Sequence, residues 1–313
     1  MTDLVAIGEV MLELSSTDAP HALSTAKVGV AGDTFNTAVY AARHGANVAY
    51  FTQLGDDPYS AKMLALLADE GINTEGIVQL EGREPGLYMI ANRADGERTF
   101  HYWRSQSPAR EMLTTASAVA LFRRCIERSK IVYLSGITLA ILPDQALDAL
   151  HQSLCEYKAQ GGQVAFDSNY RPRLWQSHQK AKAVIQRFMS ITDIALLTDE
   201  DEQNLWGCES ATQVAQQHVA TAVKVLIVKR GAKDVVSFTR TEGDDAFLPP
   251  VFIDVPQVKT VVDTTAAGDS FNGAFLAAHL AGKSLSVSIS CANQCAGSVI
   301  KHRGAIAPKN ATV

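Results

Sequence analysis

From about residue 115 onward, the sequence alternates short apolar segments with longer segments of helical periodicity. The predicted strands are 131–134, 163–166, 194–197 and 223–228, and the predicted helices are 143–158, 178–189 and 210–219. Apolar strands that alternate with helices form a parallel sheet with helices on both faces. The pattern therefore predicts an α/β fold.

The same pattern continues towards both ends of the chain. Further strands are predicted at 4–8, 47–53, 235–238 and 247–251, and further helices at 33–44, 60–70, 267–281 and 284–301. No internal repeat, low-complexity tract or linker interrupts the sequence. We therefore expect residues 1–313 to form a single domain.

Two segments, at about 9–31 and 86–107, do not follow the strand–helix pattern. In the second segment, β-rich runs at 86–91 and 99–104 flank residues 92–97, which contain an Asp-Gly pair. Two such runs around an Asp-Gly turn predict a β-hairpin. We expect the two segments together to form a small β-sheet lid.

Composition narrows the class of protein. With 47% hydrophobic and 19% charged residues, the chain is typical of a globular protein with a large core. A net charge of −5 without any basic block argues against nucleic-acid binding, and no apolar run is long enough to span a bilayer. The first residues lack the basic region of a secretory signal, and the five scattered cysteines indicate reduced thiols. We therefore expect a cytoplasmic protein that binds small molecules.

The stretch from Val261 to Gly273 carries the strongest functional signal. A β-branched pair leads into small residues and Gly268, and Asp269 then begins an apolar helical pattern. A helix N-terminus offers N–H groups and a positive dipole end to an anion, and a carboxylate there suits a base for an attacking hydroxyl. The stretch thus indicates phosphoryl transfer to an alcohol. The alternative is structural, since a strand, a small-residue turn and a helix recur in α/β proteins.

Polar clusters follow four of the predicted strands, at 167–173, 198–202, 229–231 and 263–269. Because ligands of doubly wound sheets bind at the carboxyl ends of the strands, we expect these clusters to converge. Lys229 and Gly231 could steady nucleotide phosphates. The acidic run 199–202 could hold Mg²⁺, largely through water, or it could be a solvated first helical turn favoured by the helix dipole.

Asp33 and Asn36, at the start of the first predicted helix, offer acceptors and donors suited to sugar hydroxyls. The alternative is that Asp33 caps the helix with Asn36 as its capping partner.

Three arginines, together with Tyr88 and Tyr102, are unusual for a site that binds a neutral sugar; they are Arg104, Arg171 and Arg173. A planar guanidinium is a natural bidentate partner for a carboxylate, which points to a sugar acid. Taken singly, each arginine is also compatible with a surface ion pair.

Two separated motifs carry a resemblance to a known family. An N-terminal signature is matched by Gly32, Asn36, Ala38, Gly45 and Gly55, and a C-terminal signature by residues 263–269. On these motifs the chain resembles the ribokinase-like, phosphofructokinase-B type carbohydrate kinases along nearly its whole length. Within that family, four stretches resemble a branch that acts on a sugar acid; they are residues 8–14, 85–88, 96–104 and 169–175.

The resemblance implies a three-layer α/β/α fold with a β lid, the use of ATP and Mg²⁺, and lid-to-lid dimers. It implies that Asp269 is the base for a primary hydroxyl of the sugar. Residues implied for the anion hole that binds the γ-phosphate are Ala266, Ala267 and Gly268. Residues implied for sugar binding are Gly32, Asp33, Asn36, Tyr88, Tyr102, Arg104 and, at the acid end, Arg171. Residues implied along the nucleotide are Ser168, Asn169, Thr198, Lys229, Gly231, Ala267, Gly268 and Asn293.

Two departures from the family pattern stand out. Ala266 occupies a position where many members have glycine, and we interpret it as a feature of the sugar-acid branch. The family's Asn-x-x-Glu motif, associated with Mg²⁺ and phosphate, has no clean match, and Thr198 to Asp201 take its place. The metal-linked residue is therefore Asp201 or one of its neighbours.

Three other functions compete with a sugar-acid kinase. A fructokinase or another keto-sugar kinase of the same fold is disfavoured by the arginines, and a catalytically silent sugar-binding protein by the intact Asp269 motif. A dinucleotide-dependent dehydrogenase is disfavoured because no Gly-x-Gly-x-x-Gly follows the first strand.

Overall fold

A computed structural model describes residues 2–16, 26–92, 98–241 and 243–311. Its strands are β1 Leu4–Ile7, β2 Met11–Ser16, β3 Ala26–Ala31, β4 Val48–Gly55, β5 Ile77–Leu80, β6 Leu87–Asn92, β7 Arg98–Trp103, β8 Ile131–Ser135, β9 Gln163–Asp167, β10 Ile194–Thr198, β11 Val225–Lys229, β12 Val235–Thr239 and β13 Val251–Ile253. Its α-helices are α1 Asp33–Arg43, α2 Pro58–Asp69, α3 Ala116–Ile126, α4 Gly136–Ile141, α5 Asp144–Ala159, α6 His178–Met189, α7 Asp199–Trp206, α8 Ala211–Gln217, α9 Ala267–Leu280 and α10 Leu285–Val299. Short 3₁₀-helices are Pro108–Glu111, Pro172–Leu174 and Lys309–Ala311.

Within the described ranges, nine strands form the main sheet in the order β13-β12-β11-β10-β9-β8-β1-β4-β5. Neighbours are parallel from β5 through β11, and β12 and β13 are added antiparallel at one edge. Every residue of β1, β4 and β8 is buried, as expected for parallel strands covered on both faces. The predicted, mostly parallel α/β sheet is confirmed.

The two faces of this sheet pack against different helices. Along β1, Val5 and Ile7 belong to a core cluster with residues of α3, α5 and α6. Leu4 and Ala6, which point to the opposite face, belong to a second cluster with residues of α1, α9 and α10. The predicted three-layer α/β/α arrangement follows from this alternation. No helix in the described part of the chain has the length and apolar character to cross a membrane.

The small sheet consists of four strands in the order β3-β2-β6-β7. β2–β3 and β6–β7 pair antiparallel, whereas β2–β6 pair parallel, so the sheet is mixed. The strands of the predicted hairpin are therefore present. Residues 93–97 of its turn and residues 17–25 of the predicted lid lie outside the described residues.

Several predicted boundaries differ from the structure by two or more residues, and two of these differences have an identifiable reason. α2 begins at Pro58, two residues earlier than predicted, because the Asp57 carboxylate caps the helix by accepting from the N–H groups of Tyr59 (2.8 Å) and Ser60 (3.2 Å). The strand predicted at 247–251 instead occupies Val251–Ile253, where the backbone pairs with β12. Apolar composition alone did not reveal which residues reach the partner strand.

Helices α1 and α9 approach each other closely at Gly273. A Cβ atom at this position would lie 2.5 Å from the Thr37 carbonyl oxygen and 2.8 Å from the Ala41 nitrogen, both backbone atoms of α1. Real Cβ contacts are longer than this, so the two helices pack closely here only because residue 273 lacks a side chain. This contact fixes α9, which carries Asp269, against α1, which carries Asp33 and Asn36.

We expect Gly273→Ala to lower the free energy of unfolding by about 1–3 kcal/mol, because overpacking outweighs the gain in helix propensity. Urea unfolding measures this change. Gly297→Ala in α10 is the matched control, since its Cβ would meet the nearest side-chain atom, Val258 Cγ2, at 3.4 Å. The control should be neutral or stabilising. Equal effects of the two substitutions would contradict the close α1–α9 contact.

Candidate active site

The N-terminus of α9 is built on an unusual backbone turn. Ala266, the residue before the helix, has φ 60° and ψ 17°, a left-handed conformation that L-residues other than glycine rarely adopt. Its side chain packs against a cluster that contains Tyr88 of the small sheet and Ala305, which follows α10. The surrounding structure therefore holds this strained residue in place, and the turn joins the main domain to the small sheet.

This turn leaves backbone donors at the start of α9. The Ala267 N–H donates to the Thr264 carbonyl (3.2 Å), and the Ser270 N–H donates to the Ala266 carbonyl (2.8 Å). Among the residues that the structure describes, neither a backbone carbonyl nor a side chain accepts from the N–H groups of Gly268 or Asp269. Together with the positive end of the helix dipole, these two amides can bind an anionic oxygen.

Asp269 is held by α1. Its Oδ2 accepts from Asn36 Nδ2 (2.8 Å), and its backbone carbonyl accepts from the Thr37 hydroxyl (3.2 Å). Burial raises the pKa of Asp269 to about 7, with Asp33 adding to the rise and the Asn36 hydrogen bond opposing it. A carboxyl group with this pKa can exchange a proton near neutral pH, as a general base must.

Asp33 lies beside Asp269 and is held from β9. Asn169, which follows this strand with φ 31°, donates from Nδ2 to Asp33 Oδ2 (2.9 Å). Burial raises the pKa of Asp33. A Cβ atom on Gly32 would lie 2.2 Å from the Glu9 carbonyl oxygen, so only glycine allows α1 to start this close to the segment that follows β1. The three predicted sugar-binding residues Gly32, Asp33 and Asn36 therefore lie in one turn next to Asp269.

A buried polar network lies beneath the start of α9. Lys229 Nζ donates to Asp167 Oδ2 (2.8 Å) and to Asn272 Oδ1 (3.0 Å). Asn272 Nδ2 in turn donates to Asp167 Oδ2 (2.7 Å) and to the Tyr133 hydroxyl (3.1 Å). Sequence reasoning named Lys229 but missed its partners. Asn272 could have been identified from its spacing, because residues 269 and 272 are three positions apart and therefore lie on the same face of a helix.

The arginine predicted to bind a carboxylate already faces one. Arg171 Nη1 donates to Asp201 Oδ1 (2.9 Å), while half of the Arg171 side chain stays exposed. Burial raises the pKa of Asp201 to about 6, and the charge of Arg171 opposes that rise. This ion pair joins the end of β9 to the first turn of α7.

The predicted residues of the small sheet also contact carboxylates. The Tyr88 hydroxyl donates to Glu13, and the Arg104 guanidinium forms a buried ion pair with Glu9. Arg104 also lies over the ring of Tyr102, 5.7 Å from its centroid. Tyr102 is 46% exposed, so its ring is available to a ligand, whereas Tyr88 is buried. Sequence reasoning did not assign Glu9 or Glu13.

The predicted nucleotide-binding residues are spread along the carboxyl edge of the sheet. Thr198 and Lys229 are register partners at the ends of β10 and β11, and Gly231 occupies a left-handed turn (φ 62°) just beyond. Ser168 is buried directly after β9. Asn293 lies further away on α10, where its Nδ2 donates to the Asp254 carbonyl (3.2 Å).

Asp201 offers a single carboxylate to a metal ion, which suits a Mg²⁺ ion whose other ligands are water and nucleotide phosphates. No cluster of three or more metal-ligating side chains occurs within the described ranges. A single buried carboxylate fits a cation that keeps its waters and takes its remaining oxygens from nucleotide phosphates. Asp201 can therefore assist in holding Mg²⁺, and the described side chains around it supply only part of a coordination shell.

Comparison with known sequences gives one consistent result. The family model for pfkB family carbohydrate kinases matches residues 1–312. The 2-dehydro-3-deoxygluconokinase of Escherichia coli K12 is 40% identical over 318 residues, covering 98% of each chain. The enzyme of the same name from Dickeya dadantii is 39% identical and covers 99% of this chain and 98% of its own. Fructokinase-1 of Zea mays is more distant, at 29% identity over 97% and 93% of the two chains.

Solved structures show the same fold at lower identity. A fructokinase with bound ATP from Xylella fastidiosa has a TM-score of 0.83 and 22% identity, over 100% of this chain and 95% of that chain. The 2-dehydro-3-deoxygluconokinase of Thermotoga maritima has a TM-score of 0.79 and 22% identity, over 98% and 96%. A protein assigned as a ribokinase II from Escherichia coli, in complex with ATP and Mg²⁺, has a TM-score of 0.84 and 20% identity, over 100% and 96%.

Proposed function

We propose a specific reaction for this chain, which belongs to the pfkB family of carbohydrate kinases. The proposed reaction is phosphorylation of 2-dehydro-3-deoxy-D-gluconate at the terminal C6 hydroxyl of the sugar acid. The phosphoryl donor is ATP, and the products are 2-dehydro-3-deoxy-6-phosphogluconate and ADP. The observation that carries the proposal is the placement of Asp269, a carboxyl with a pKa raised to about 7, at the N-terminus of α9. Beside it are two backbone amides for which the described residues provide no acceptor.

In the proposed reaction, Asp269 takes the proton of the C6 hydroxyl as the oxygen attacks the γ-phosphorus. A bond forms between this oxygen and phosphorus, and the bond from phosphorus to the bridging β-phosphate oxygen breaks, so ADP leaves with the electron pair. The turn Ala266, Ala267 and Gly268 forms the anion hole. Because Ala267 donates to Thr264, the donors of the anion hole that have no acceptor among the described residues are the amides of Gly268 and Asp269.

The sugar is placed between α1 and the small sheet. We propose that Gly32, Asp33 and Asn36 hold its hydroxyls, supported by their position next to Asp269. From the small sheet, which we propose acts as a lid, the contributing residues are Tyr88, Tyr102 and Arg104. The exposed ring of Tyr102 supports this placement, and the buried pair with Glu9 fixes the orientation of Arg104.

The nucleotide is proposed to bind along the carboxyl ends of β9, β10 and β11. The residues proposed to line it are Ser168, Asn169, Thr198, Lys229, Gly231, Ala267, Gly268 and Asn293. Asp201 would hold Mg²⁺ through water, and when bound this ion neutralises charge on the phosphate oxygens. The buried position of Asp201 at the same edge as Thr198 and Lys229 supports this role.

We propose that Arg171 binds the carboxylate of the sugar acid. Arg171→Ala should raise KM for 2-dehydro-3-deoxygluconate about 10–100-fold, since charge-assisted hydrogen bonds contribute about 1.5–3 kcal/mol. The KM for a neutral sugar such as fructose should change far less. Arg187→Ala is the control, because Arg187 on α6 forms an exposed ion pair with Asp148 and has no proposed role in sugar binding. Equal losses for acidic and neutral sugars would reduce Arg171 to the structural partner of Asp201.

A substrate panel tests the proposed function. ADP release is followed with Mg-ATP and, in turn, 2-dehydro-3-deoxygluconate, its galactonate epimer, gluconate, fructose and ribose. We expect strong turnover only with the keto-deoxy acids. Turnover confined to fructose would support the rival keto-sugar kinase, and retained nucleotide binding without turnover of any sugar would support a silent binding protein.

We further propose that the protein is a cytoplasmic homo-oligomer that associates through the small sheet. Apolar side chains exposed there support the interface: Val28 is 55% exposed, Phe100 36% and Trp103 58%. All five cysteines are free, in keeping with a reducing compartment. Analytical ultracentrifugation of the native protein and of Trp103→Ser would test the interface, and an unchanged mass for the variant would exclude it.

A further inference from the structure

The Lys229 side chain is buried, and its ammonium group is bonded to other protein side chains. It is only 7% exposed, and its ammonium group is bonded to Asp167 (2.8 Å) and Asn272 (3.0 Å). Asp167 and Asn272 are also buried, at 3% and 0% exposed. Moving the ammonium out would leave a buried carboxylate without its partner, which is costly. The ion pair is therefore a fixed part of the structure.

The Lys229–Asp167 ion pair lies next to the turn at the start of α9 that contains Ala266, Ala267 and Gly268. A Cβ atom on Gly268 would lie 3.6 Å from Lys229 Nζ. Asn272 follows Asp269 by three residues on α9, so the amide that bridges Lys229 and Asp167 is on the same helix face as the base. The network also reaches Asp269 through Thr37, whose hydroxyl contacts both the Tyr133 hydroxyl (3.4 Å) and the Asp269 carbonyl (3.2 Å).

We propose that Asp167 and Lys229 are positioning residues that set the basicity of Asp269 through their opposite charges, with Asn272 tying the pair to the helix that carries the base. The inference rests on the proposed function, since it takes Asp269 as the base. This role is separate from the nucleotide contact proposed above for Lys229, because the ammonium group acts on Asp269 from the protein side of the turn, where it is bonded to Asp167 and Asn272.

Charged and titratable groups on several elements interact electrostatically with Asp269. They are Asp33 on α1, Asp167 at the end of β9, Lys229 at the end of β11, Arg171 in the loop after β9, and the phenols Tyr40, Tyr88 and Tyr133. Burial is the main cause that raises the pKa of Asp269 to about 7; Asp33 and Asp167 act in the same direction, and Lys229 acts against it. The two members of the ion pair therefore have opposite influences on the base.

The test is the pH dependence of kcat/KM for the sugar acid at saturating Mg-ATP. A base works only when deprotonated, so the wild-type rate should rise through about pH 7 and level off above it. Lys229→Met should move the midpoint up by about one pH unit, and Asp167→Asn should move it down by a similar amount, as expected for a charge near a carboxyl group.

Three further variants distinguish the effect of the charges on the pH midpoint from the effect of losing a structural hydrogen bond. Asn272→Ala breaks the bridge without changing charge, so it should lower kcat and leave the midpoint within about 0.3 units of wild type, well below a single-charge effect. Lys229→Arg should also keep the midpoint. The double variant Lys229→Met/Asp167→Asn removes both charges and should return the midpoint towards the wild-type value.

Wild-type midpoints for both Lys229→Met and Asp167→Asn would overturn the inference while leaving the proposed function intact. An inactive wild-type protein would instead refute the proposed function. If circular dichroism shows that Lys229→Met does not fold, Asp167→Asn and the double variant decide the question, because both remove the buried negative charge. A midpoint that differs between these two variants supports the inference, and an identical midpoint contradicts it.

Discussion

Replacing Asp269 with asparagine should lower kcat by about 10²–10⁴-fold, the usual contribution of a general base. Asparagine has nearly the same shape as aspartate but cannot take up the proton of the attacking hydroxyl at neutral pH. The Asn36 side chain, which donates to Asp269 Oδ2 (2.8 Å), can still bond to the amide oxygen. The turn and the anion hole should therefore keep their geometry.

Binding and turnover should separate in this variant. Calorimetric titration with ATP and with the sugar acid should give dissociation constants close to those of wild type, since the substitution removes a step in the reaction and little ground-state binding. Asp148→Asn is the matched control, because that carboxylate is 69% exposed on α5, and its kcat should not change. A kcat for Asp269→Asn within about tenfold of wild type, less than a base normally contributes, would rule Asp269 out as the base.

Arg104→Met should lower the free energy of unfolding by about 3–5 kcal/mol, because it leaves the Glu9 carboxylate buried without a counter-charge. The side chains of Arg104 and Glu9 are 7% and 1% exposed, so water cannot replace the lost partner. The Glu9 carbonyl oxygen also packs against Gly32. Disorder around an unpaired Glu9 should therefore reach the start of α1 as well.

Two comparisons in urea unfolding isolate this effect. Arg187→Met breaks an exposed ion pair with Asp148 and should cost less than about 1 kcal/mol. The double variant Glu9→Leu/Arg104→Met removes both buried charges and should recover most of the loss, since apolar replacements of buried pairs are often neutral. A single and a double variant of equal stability would show that packing of the Arg104 stem, not its charge, stabilises the small sheet.

The sheet could be predicted from the sequence because its signal is local. In β1, four consecutive apolar residues alternate between two helix layers, and such a run is what a strand buried on both faces requires. The order of the strands and the pairing of β2 with β6 across the small sheet could not be obtained in this way. They depend on contacts between segments that are distant in the chain.

The site was predictable only in part. The convergence of Asp167 and Lys229 at one edge follows from the rule that parallel strands end together. That rule does not place Asp269, which lies on α9 after the loop that follows the antiparallel edge strand β13. The pairings within it were not predictable, because their members lie far apart: 30 residues separate Arg171 from Asp201, 95 separate Glu9 from Arg104, and 75 separate Glu13 from Tyr88. No local sequence pattern indicates which of these side chains will pair with each other in the folded protein. The functional roles of these residues stay predictions.

The most direct test of a sugar-acid kinase is to identify the product. The protein is incubated with Mg-ATP and 2-dehydro-3-deoxygluconate, and the mixture is followed by ³¹P NMR. We predict that the γ-phosphate signal of ATP is replaced by a phosphomonoester coupled to the two protons of the C6 methylene group, in equal amount to the ADP formed. Consumption of ATP without that ester, or formation of an ester only when fructose replaces the sugar acid, would contradict the proposed function.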